Sequence, residues 1–303
     1  MHRVAIVGAG KVGLVLGRLM ARGGARITAV VSRTPASARA GGKFLRCRNA
    51  GTAPESIPPE TNLVFIATPH DAVAPVAERL AACGQLRFRR LAVCHASGML
   101  TADALAPLAR RGAVAFSFHP LQTFPRDFPP AAIVPSARGI RYGADGDAAG
   151  MRAARRLAKL LGGTLLPVPP ELRAYYHASC VLASNHLAAM LSLLEAMYLR
   201  LGAKGKKFYP VYEPIIRATL DNIERTSPAR ALSGPVARGG IDTVTRHFAA
   251  IARTSPELLP YFAAMSRETA LLAARKGTLT GERLNAMLEL IASSTIRPET
   301  GPR

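Results

Sequence analysis

The hydrophobic pattern of the chain begins with a short apolar run that leads directly into glycines. Residues 4–7 are all apolar, and Gly8, Gly10 and Gly13 follow them with the spacing GxGxxG. Apolar residues then recur at helical spacing as far as Arg22. A continuous apolar run is typical of a buried parallel strand, and the later spacing is typical of an amphipathic helix. The pattern therefore predicts a strand, a tight turn and a helix.

The same alternation continues through the first half of the chain. Further strands are predicted at residues 26–31, 63–67, 91–94 and 114–118, with helices at 72–82 and about 102–110. A helix at 148–161 lies between two more predicted strands, 140–143 and 164–168, whereas residues 35–59 predict mainly an irregular connection with a short helix. Alternating strands and helices predict an α/β fold, a Rossmann doubly wound parallel sheet that binds ligands at the carboxyl ends of its strands.

The pattern changes after Pro169 and Pro170, where helical spacing replaces strands. We therefore predict a Rossmann domain over residues 1–168 and an all-α C-terminal domain over 169–303. The most apolar stretch, residues 178–197, is interrupted by Asn185, His186 and Glu195. Because polar side chains are costly inside a membrane, this stretch predicts a core helix and no membrane association.

Composition changes this picture little. With 303 residues, 49% of them hydrophobic and 19% charged, the chain is typical of a globular protein with a sizeable core. The net charge of +21 could indicate nucleic-acid binding, but the arginines are scattered and only residues 87–90 and 204–207 form tight basic clusters. Phe88 is the one aromatic residue within these clusters, so neither has the interleaved aromatics of a platform for single-stranded nucleic acid. We predict solvated basic faces that attract small anionic ligands, and no specific nucleic-acid partner.

The four cysteines show neither CxxC pairing nor metal-ligand spacing, so no metal site is predicted. The sequence enters its first strand without a charged and apolar leader. These features predict reduced thiols and a cytoplasmic location.

The glycine turn predicts a dinucleotide site. Gly8 permits the tight turn, Gly10 admits a pyrophosphate and Gly13 lets helix and strand pack closely, while the helix N-terminus attracts the phosphates. At the end of the second strand stands Arg33 between two hydroxyl residues, where NAD sites usually place a carboxylate. A guanidinium pairs well with the 2′-phosphate of NADP, although a solvated arginine is the alternative. The predicted cofactor-binding residues are Gly8, Gly10, Lys11, Val12, Gly13, Ser32, Arg33, Thr34, Thr68 and Pro69.

Candidate catalytic residues follow later strands. His119 ends one strand and is held by Pro120, so its imidazole is placed to exchange the proton that accompanies hydride transfer. Ser97 ends the neighbouring strand and is expected to hydrogen-bond the substrate or the imidazole; His95, beside it, is a weaker candidate. The alternative is that His119 and Ser97 only cap turns.

The helical half adds four candidates. His177 and Asn185 lie eight residues apart, about 80° around a helix, so that both can face one cleft or be satisfied core residues. Tyr176 is expected to point elsewhere. Residues 231–240 interrupt the helices, and Ser233 and Arg238 in this break are predicted to bind a substrate carboxylate or phosphate. The break is alternatively a simple helix connection.

Several motifs together resemble a known family. They are GAGKVG, HASG, FHPLQTF, YYHASCVLASN and ALSGPVARGG. The chain resembles the short-subunit dehydrogenase-like oxidoreductases, which join a Rossmann-like domain to a helical C-terminal domain of unassigned function within the phosphogluconate dehydrogenase-like superfamily. The resemblance implies an oxidoreductase that forms homodimers through the helical domain.

The arrangement of Ser97 with His119 and Pro120 is similar to that in prephenate dehydrogenases. Two departures qualify the resemblance. Val181 stands where hydroxyacid and ketopantoate reductases carry a lysine four residues before the asparagine that corresponds to Asn185. Gly240 stands where relatives carry Asp. The sequence predicts an NADP-dependent oxidoreductase acting on a small anionic 2-oxo or hydroxy acid, with a non-catalytic NADP(H)-binding sensor as the alternative.

Overall fold

A parallel sheet of six strands forms the centre of the N-terminal unit in the computed structural model, which describes residues 2–202 and 207–294. Its strands are β1 (Arg3–Val7), β2 (Arg26–Val31), β3 (Ala50–Gly51), β4 (Leu63–Ile66), β5 (Ala92–His95) and β6 (Val114–Ser117). They lie in the order β3-β2-β1-β4-β5-β6, and every neighbouring pair is parallel. This order confirms the predicted Rossmann sheet. Successive strands are added in one direction from β1 to β3 and in the opposite direction from β4 to β6. Sheets of this kind bind nucleotides at the point between β1 and β4 where the direction changes.

The apolar run at the start of the chain is buried on both faces of this sheet. Val4 and Ile6 pack in one cluster with Leu16 of the following helix, whereas Ala5 and Val7 belong to a second cluster on the other face. Successive side chains of a strand point to opposite faces, so a run without polar residues requires cover on both sides. That cover comes from helices α1 (Lys11–Arg22), α2 (Pro35–Leu45), α3 (His70–Ala82), α4 (Ala106–Ala109), α5 (Pro130–Ile133) and α6 (Ala148–Leu160).

Helix α2 is longer than the sequence predicted. The glycine-rich region 35–59 was expected to be mainly irregular, but eleven of its residues are helical. The hydroxyl oxygen of Thr34 accepts a hydrogen bond from the Ser37 backbone N–H at 3.2 Å, and Pro35 occupies the first helical position. This cap supplies the start signal. Gly41 faces Val30 and leaves little room for a side chain there, so packing against β2 explains the glycine.

A second, smaller sheet follows β6. It contains β7 (His119–Pro120), β8 (Arg141–Ala144) and β9 (Thr164–Pro167), with β7 antiparallel to β8 and β8 parallel to β9. The sequence predicted β8 and β9 as strands of the same domain but did not distinguish a separate sheet. His119 therefore lies on a strand, opposite Gly143, rather than at a free strand end.

Every regular element after β9 in the described part of the chain is a helix. The helices are α7 (Arg173–Val181), a π-helical turn (Leu182–His186), α8 (Leu187–Arg200), α9 (Tyr209–Arg225), α10 (Pro228–Ala231), α11 (Ile241–Thr254), α12 (Leu259–Lys276) and α13 (Gly281–Ser293), with single 3₁₀ turns between some of them. The basic cluster at 204–207 lies outside the described residues apart from Lys207.

The chain packs as two units, of which the first ends at Asn185 and the second begins at His186. The predicted boundary after residue 168 marks the change from strands to helices, but α7 packs with the strands because Arg173 and Tyr176 are buried there. The second unit has its own core, which includes Val244, Phe248 and Met287.

The helical segment from Pro170 to Arg200 differs from its prediction. It is long and apolar enough to cross a membrane by length and composition, yet none of its most apolar window is buried. Leu182 is 63% exposed and Leu187 is 40% exposed. The predicted core helix is therefore wrong for a single chain, because an apolar pattern indicates that a face needs cover but not what covers it.

Candidate active site

Three glycines build the turn between β1 and α1, each for a different steric reason. Gly8 has a φ of +107°, and a Cβ there would lie 2.5 Å from the carbonyl oxygen of Ala67. A Cβ on Gly13 would collide with the carbonyl oxygen of Gly8, whereas one on Gly10 would meet nothing within 4 Å. Gly8 and Gly13 are thus required by the fold, and Gly10 leaves open space beside the backbone.

A cavity of about 620 Å³ lies beside this turn, at the carboxyl ends of β1, β2 and β4. Among the predicted cofactor-binding residues, those that line it are Gly8, Gly10, Ser32, Arg33, Thr34, Thr68 and Pro69. Lys11, Val12 and Gly13 do not line it. The Lys11 ammonium instead donates a hydrogen bond to the Phe128 carbonyl at 2.6 Å. The cavity also includes Ser37, Thr52 and Arg79, which come from separate elements and carry no local sequence motif.

The cavity has features that suit a dinucleotide. The Thr68 hydroxyl is buried and has no hydrogen-bond partner within the described part of the chain. Gly10 is the N-cap residue of α1 and provides no side-chain cap, so the first N–H groups of the helix are available to a phosphate. Arg33 and the capped start of α2 lie at another part of the same rim. Hydroxyl, N–H groups and guanidinium together match the ribose and phosphate chemistry of a dinucleotide.

Helix α7 brings two aromatic side chains to His119. The Tyr176 hydroxyl lies 2.9 Å from His119 Nδ1, and the ring centroids of His119 and His177 are 6.0 Å apart. A Cβ on Gly98 would lie 3.0 Å from His119 Nε2 and would collide with His177. The missing side chain at Gly98 therefore allows both imidazoles to approach one point. The expectation that Tyr176 points elsewhere is wrong, because helical spacing does not show which strand faces a helix.

The Tyr176 hydroxyl and His119 Nδ1 share one hydrogen bond, whose direction depends on the His119 tautomer. Burial raises the pKa of Tyr176, so the hydroxyl keeps its proton and can donate it to Nδ1. In that arrangement the hydrogen of a neutral imidazole is on Nε2, the nitrogen beside Gly98. The pair can thus present an N–H donor at this point.

Burial lowers the pKa of His119 to about 4, and the positive charge of Arg173 acts in the same direction. The imidazole is consequently neutral at neutral pH. A neutral imidazole can polarise a carbonyl oxygen through its N–H, and it can pass on that proton when its other nitrogen takes up a proton at the same time.

A buried ionic network underlies these groups. Arg173 is only 2% exposed, and its guanidinium lies 3.4 Å from Asp145 and donates to the Ser97 carbonyl oxygen at 3.0 Å. The same guanidinium lies 5.4 Å from the centroid of the Tyr176 ring. Asp145 also accepts hydrogen bonds from the Ser117 hydroxyl and, at 2.7 Å, from the Ala102 backbone. The network joins the turn after β5 to α7, and no sequence motif identifies Arg173 or Asp145.

The Ser97 hydroxyl caps the turn that follows it, which is the alternative role expected from the sequence. Its hydroxyl oxygen accepts hydrogen bonds from the Met99 and Leu100 backbones at 3.3 and 3.2 Å, and no bond joins it to His119. The Ser97 N–H donates to His95 Nδ1, and His95 Nε2–H donates to the Thr101 carbonyl, so His95 is a structural histidine. A role for the Ser97 hydroxyl toward substrate stays a prediction.

The π-helical turn changes the relation between His177 and Asn185. A π turn takes more residues than an α turn, so it rotates Asn185 back toward the face of His177, closer than the predicted 80°. Asn185 is exposed, and its amide oxygen accepts from the Ser184 hydroxyl at 2.8 Å. Its role toward substrate stays a prediction.

Ser233 and Arg238 lie in the second unit, in the predicted break between helices. Both are exposed, and the break contains Gly234 and Gly239 with φ of +100° and +68°. The Lys276 ammonium donates to the carbonyl oxygen of Leu232 at 2.6 Å and fixes one end of the break. Substrate binding by Ser233 and Arg238 stays a prediction. In the residues that the structure describes, no group of three or more His, Cys, Asp or Glu is placed to hold a metal.

Two family models match the chain. Residues 1–120 match a Rossmann-like domain, and residues 140–269 match a domain of unknown function, DUF2520. The two matched regions follow each other along the chain, the Rossmann-like one first. This agrees with the resemblance at a coarse level, but the matches do not support its short-subunit label. No curated protein sequence matches the chain.

Solved structures share this architecture at low sequence identity. Protein TM1727 from Thermotoga maritima matches with a TM-score of 0.69 and 22% identity, covering 90% of this chain and 99% of its own. BF3122 from Bacteroides fragilis, named as an NADP oxidoreductase, gives 0.64 and 21%, with 91% and 97% covered. An imine reductase from Pseudomonas sp. gives 0.57 and 19%, with 96% and 99% covered. At these identities the matches establish the fold of the chain and not its chemistry.

Proposed function

We propose that the protein is an NADP-dependent oxidoreductase that transfers hydride between the nicotinamide and a small anionic 2-oxo or hydroxy acid. The observation that carries this proposal is the cavity at the glycine turn, which combines Gly10, the unpartnered Thr68 hydroxyl and Arg33. Oxidoreductases among the structural neighbours are in agreement with it.

Arg33 supports NADP rather than NAD. Its guanidinium lies on the cavity rim with Thr34 and Ser37, and the first turn of α2 contains no acidic residue. A 2′-phosphate there would gain a bidentate ion pair and a helix N-terminus, whereas a free 2′-hydroxyl would gain neither.

His119 is the proposed proton donor. The cofactor, when bound, supplies or accepts the hydride. During reduction, the Tyr176 hydroxyl donates to His119 Nδ1, and His119 Nε2–H donates to the substrate oxygen. As the hydride arrives, the oxygen takes the Nε2 proton while Nδ1 takes the Tyr176 proton, so the imidazole stays neutral and solvent returns a proton to Tyr176.

A fluorescence titration tests the cofactor proposal. The chain contains no Trp, so nicotinamide emission can be followed with little protein background. We expect NADPH to bind at least about tenfold more tightly than NADH, a difference of about 1.4 kcal/mol. Arg33→Ala should remove this preference by weakening NADPH alone. Arg39→Ala, an exposed arginine on α2 that does not line the cavity, is the matched control. Failure of the wild type to bind either nucleotide would end the proposal.

Turnover tests the chemistry separately. His119→Ala should keep NADPH affinity and lose reduction of 2-oxo acids. Val181 stands where related reductases carry a lysine, and this departure favours the second candidate, a sensor that binds NADP(H) without catalysis. Tight NADPH binding by the wild type without turnover of any 2-oxo acid in a broad panel would favour the sensor.

The predicted assembly and location belong to the same proposal. We propose a cytoplasmic homodimer formed through the helical half, with no specific nucleic-acid or membrane partner. The exposed apolar side chains of α8, including Leu187 and Met190, support a protein partner for that helix.

A further inference from the structure

A second large cavity lies at the opposite edge of the main sheet from the glycine turn. It encloses about 700 Å³ between the C-terminal turns of α1 and α2 and the start of β2. Ligands of Rossmann sheets bind at the carboxyl ends of the strands, and this cavity lies where β2 begins. Its volume falls within the range of small-molecule sites, about 300–1,000 Å³. The proposed cofactor does not account for it.

Arginines dominate the lining of this cavity, which we call the arginine pocket. They are Arg18, Arg22, Arg26, Arg46 and Arg48, and the carboxylate that lines it with them is Glu60. Across residues 2–202 and 207–294, none of these five arginines forms an ion pair within 4.0 Å; Arg173, Arg200, Arg217 and Arg267 do. Cys47 adds no negative charge, because burial raises the pKa of its thiol.

The negative ends of helices α1 and α2 offset only part of the positive charge of these arginines. Arg22 lies in the last turn of α1, Arg46 caps α2, and Arg18 donates to the Phe44 carbonyl at 3.3 Å. Each helix C-terminus contributes only about half a negative charge, so two of them offset about one arginine. Arg26 begins β2 beside Arg3 of β1, and Arg48 follows α2; neither caps a helix.

The backbone at Arg46 adds an independent observation. Arg46 has a φ of +56°, in the left-handed region where Gly or Asn usually ends a helix. A residue with a Cβ is strained there relative to the right-handed region. The conformation turns the chain so that residues 46–49 form one wall of the pocket, and the Asn49 side-chain amide fixes this wall by donating to the Thr28 carbonyl at 3.0 Å.

We propose that the arginine pocket binds a small polyanion that carries two or more phosphate groups. Guanidinium groups recognise phosphate oxygens by paired hydrogen bonds, and several phosphates are needed to offset a pocket of five arginines and one carboxylate. No aromatic ring lines the pocket for stacking a base, so a compact phosphorylated molecule fits better than a nucleic-acid strand. The proposal does not depend on the proposed oxidoreductase activity.

Calorimetric titration of the full chain with tripolyphosphate tests this proposal. The double variant Arg26→Ala/Arg48→Ala should weaken tripolyphosphate binding by at least about tenfold, which is about 1.4 kcal/mol. The control Arg110→Ala/Arg138→Ala removes the same charge from exposed positions outside the pocket and should change affinity by less than about threefold. Arg33→Ala at the cofactor cavity should leave tripolyphosphate binding intact. Orthophosphate should bind the wild type more weakly than tripolyphosphate.

Three results would overturn the proposal. Equal weakening by both double variants would show diffuse attraction to a basic surface. Loss of binding in Arg33→Ala would place tripolyphosphate at the cofactor cavity. Absence of tripolyphosphate binding at physiological salt, including a case in which only single-stranded RNA binds, would exclude a small-polyanion site. Thermal unfolding of each variant verifies that the altered proteins remain folded.

Discussion

Tyr176 is the proposed positioning residue for His119. Its hydroxyl lies 2.9 Å from His119 Nδ1, and donation of its proton to Nδ1 places the imidazole hydrogen on Nε2. A Cβ on Gly143 would collide with this hydroxyl, which explains a glycine in the middle of β8. One residue pair across the small sheet therefore places the tyrosine that orients the histidine.

Tyr176→Phe should remove the preference of His119 for the tautomer with its hydrogen on Nε2, while the phenyl ring still fills the same space. We expect reductase turnover to fall by at least about tenfold, or 1.4 kcal/mol of transition-state stabilisation, while NADPH affinity is retained. Nitrogen NMR of labelled histidines should show the His119 hydrogen shared between both nitrogens. Tyr175→Phe, at a neighbouring residue that is 78% exposed, is the control and should change neither quantity. An unchanged tautomer in Tyr176→Phe would contradict the orienting role.

Stability at mildly acidic pH should depend on His119. Its folded pKa of about 4 lies below the ordinary 6.5, so between these values the unfolded chain binds the proton more readily. Protonation therefore favours unfolding, and stability decreases as the pH falls from about 6.5 to about 4, by up to about 3 kcal/mol from this residue.

Urea unfolding of wild type and His119→Gln across this pH range measures the effect. The variant should lose less stability on acidification, since it lacks the titrating group. Parallel pH profiles for the two proteins would show that His119 is not held neutral by its surroundings. His177→Gln is a suitable comparison, because it removes an imidazole whose ring centroid lies 6.0 Å from that of His119.

At the scale of elements, the glycines of the turn between β1 and α1 have different tasks: one is needed for packing and another leaves room for a ligand. Gly13 packs against the Gly8 carbonyl, whereas Gly10 faces open space. Both are glycines of one motif, and only the structure distinguishes their tasks. Helix α2 makes a similar point, since the cap formed by Thr34 creates a helix N-terminus at the cavity that also contains Arg33.

Alanine at each of these two glycines should give opposite results. Gly13→Ala should destabilise the fold by about 1–3 kcal/mol, because the new methyl overpacks the backbone. Gly10→Ala should keep its stability within about 0.5 kcal/mol. It should nevertheless lose NADPH affinity by at least about tenfold, because the methyl occupies the approach of the pyrophosphate. Thermal unfolding and nicotinamide fluorescence measure the two effects, and retained NADPH affinity in Gly10→Ala would argue against a phosphate at this turn.

At the scale of the whole molecule, the uncovered apolar helix is the main unexplained feature of a single chain. Leu182 and Leu187 are exposed, and so are Val211, Ile215 and Leu220 of α9. Exposed apolar surface of this extent usually marks an interaction surface. The proposed homodimer would bury it, whereas the polar residues Asn185, His186 and Glu195 make a lipid environment costly.

Light scattering after size-exclusion chromatography should give twice the chain mass of 32.1 kDa for the wild type. Leu187→Glu/Met190→Glu should shift the protein toward a single chain, because charges at these positions oppose burial. Phe128→Glu, at an exposed apolar residue of the other unit, is the control and should remain dimeric. A monomeric wild type would refute the dimer, and co-flotation with lipid vesicles would indicate a membrane surface instead.

Much of the fold could be predicted from the sequence because its determinants are local. Periodicity located β1, β2, β4, β5 and β6, whereas β3 lies in the region predicted to be mainly irregular. The GxGxxG spacing located the glycine turn, since backbone sterics at Gly8 and Gly13 depend on near neighbours. Arg33 was also predictable as a residue of the cavity, because strand ends of a parallel sheet meet at one edge.

Tertiary structure alone decided the features that depend on distant partners. Arg173 is buried by an ion pair with Asp145, Tyr176 meets His119 across 57 positions, and the arginine pocket collects side chains from four separate segments. Such contacts have no local period or spacing. The sequence determined which faces are apolar and which side chains can carry chemistry; only packing decided which of them meet, because burial, charge pairing and tautomer are properties of neighbours in space.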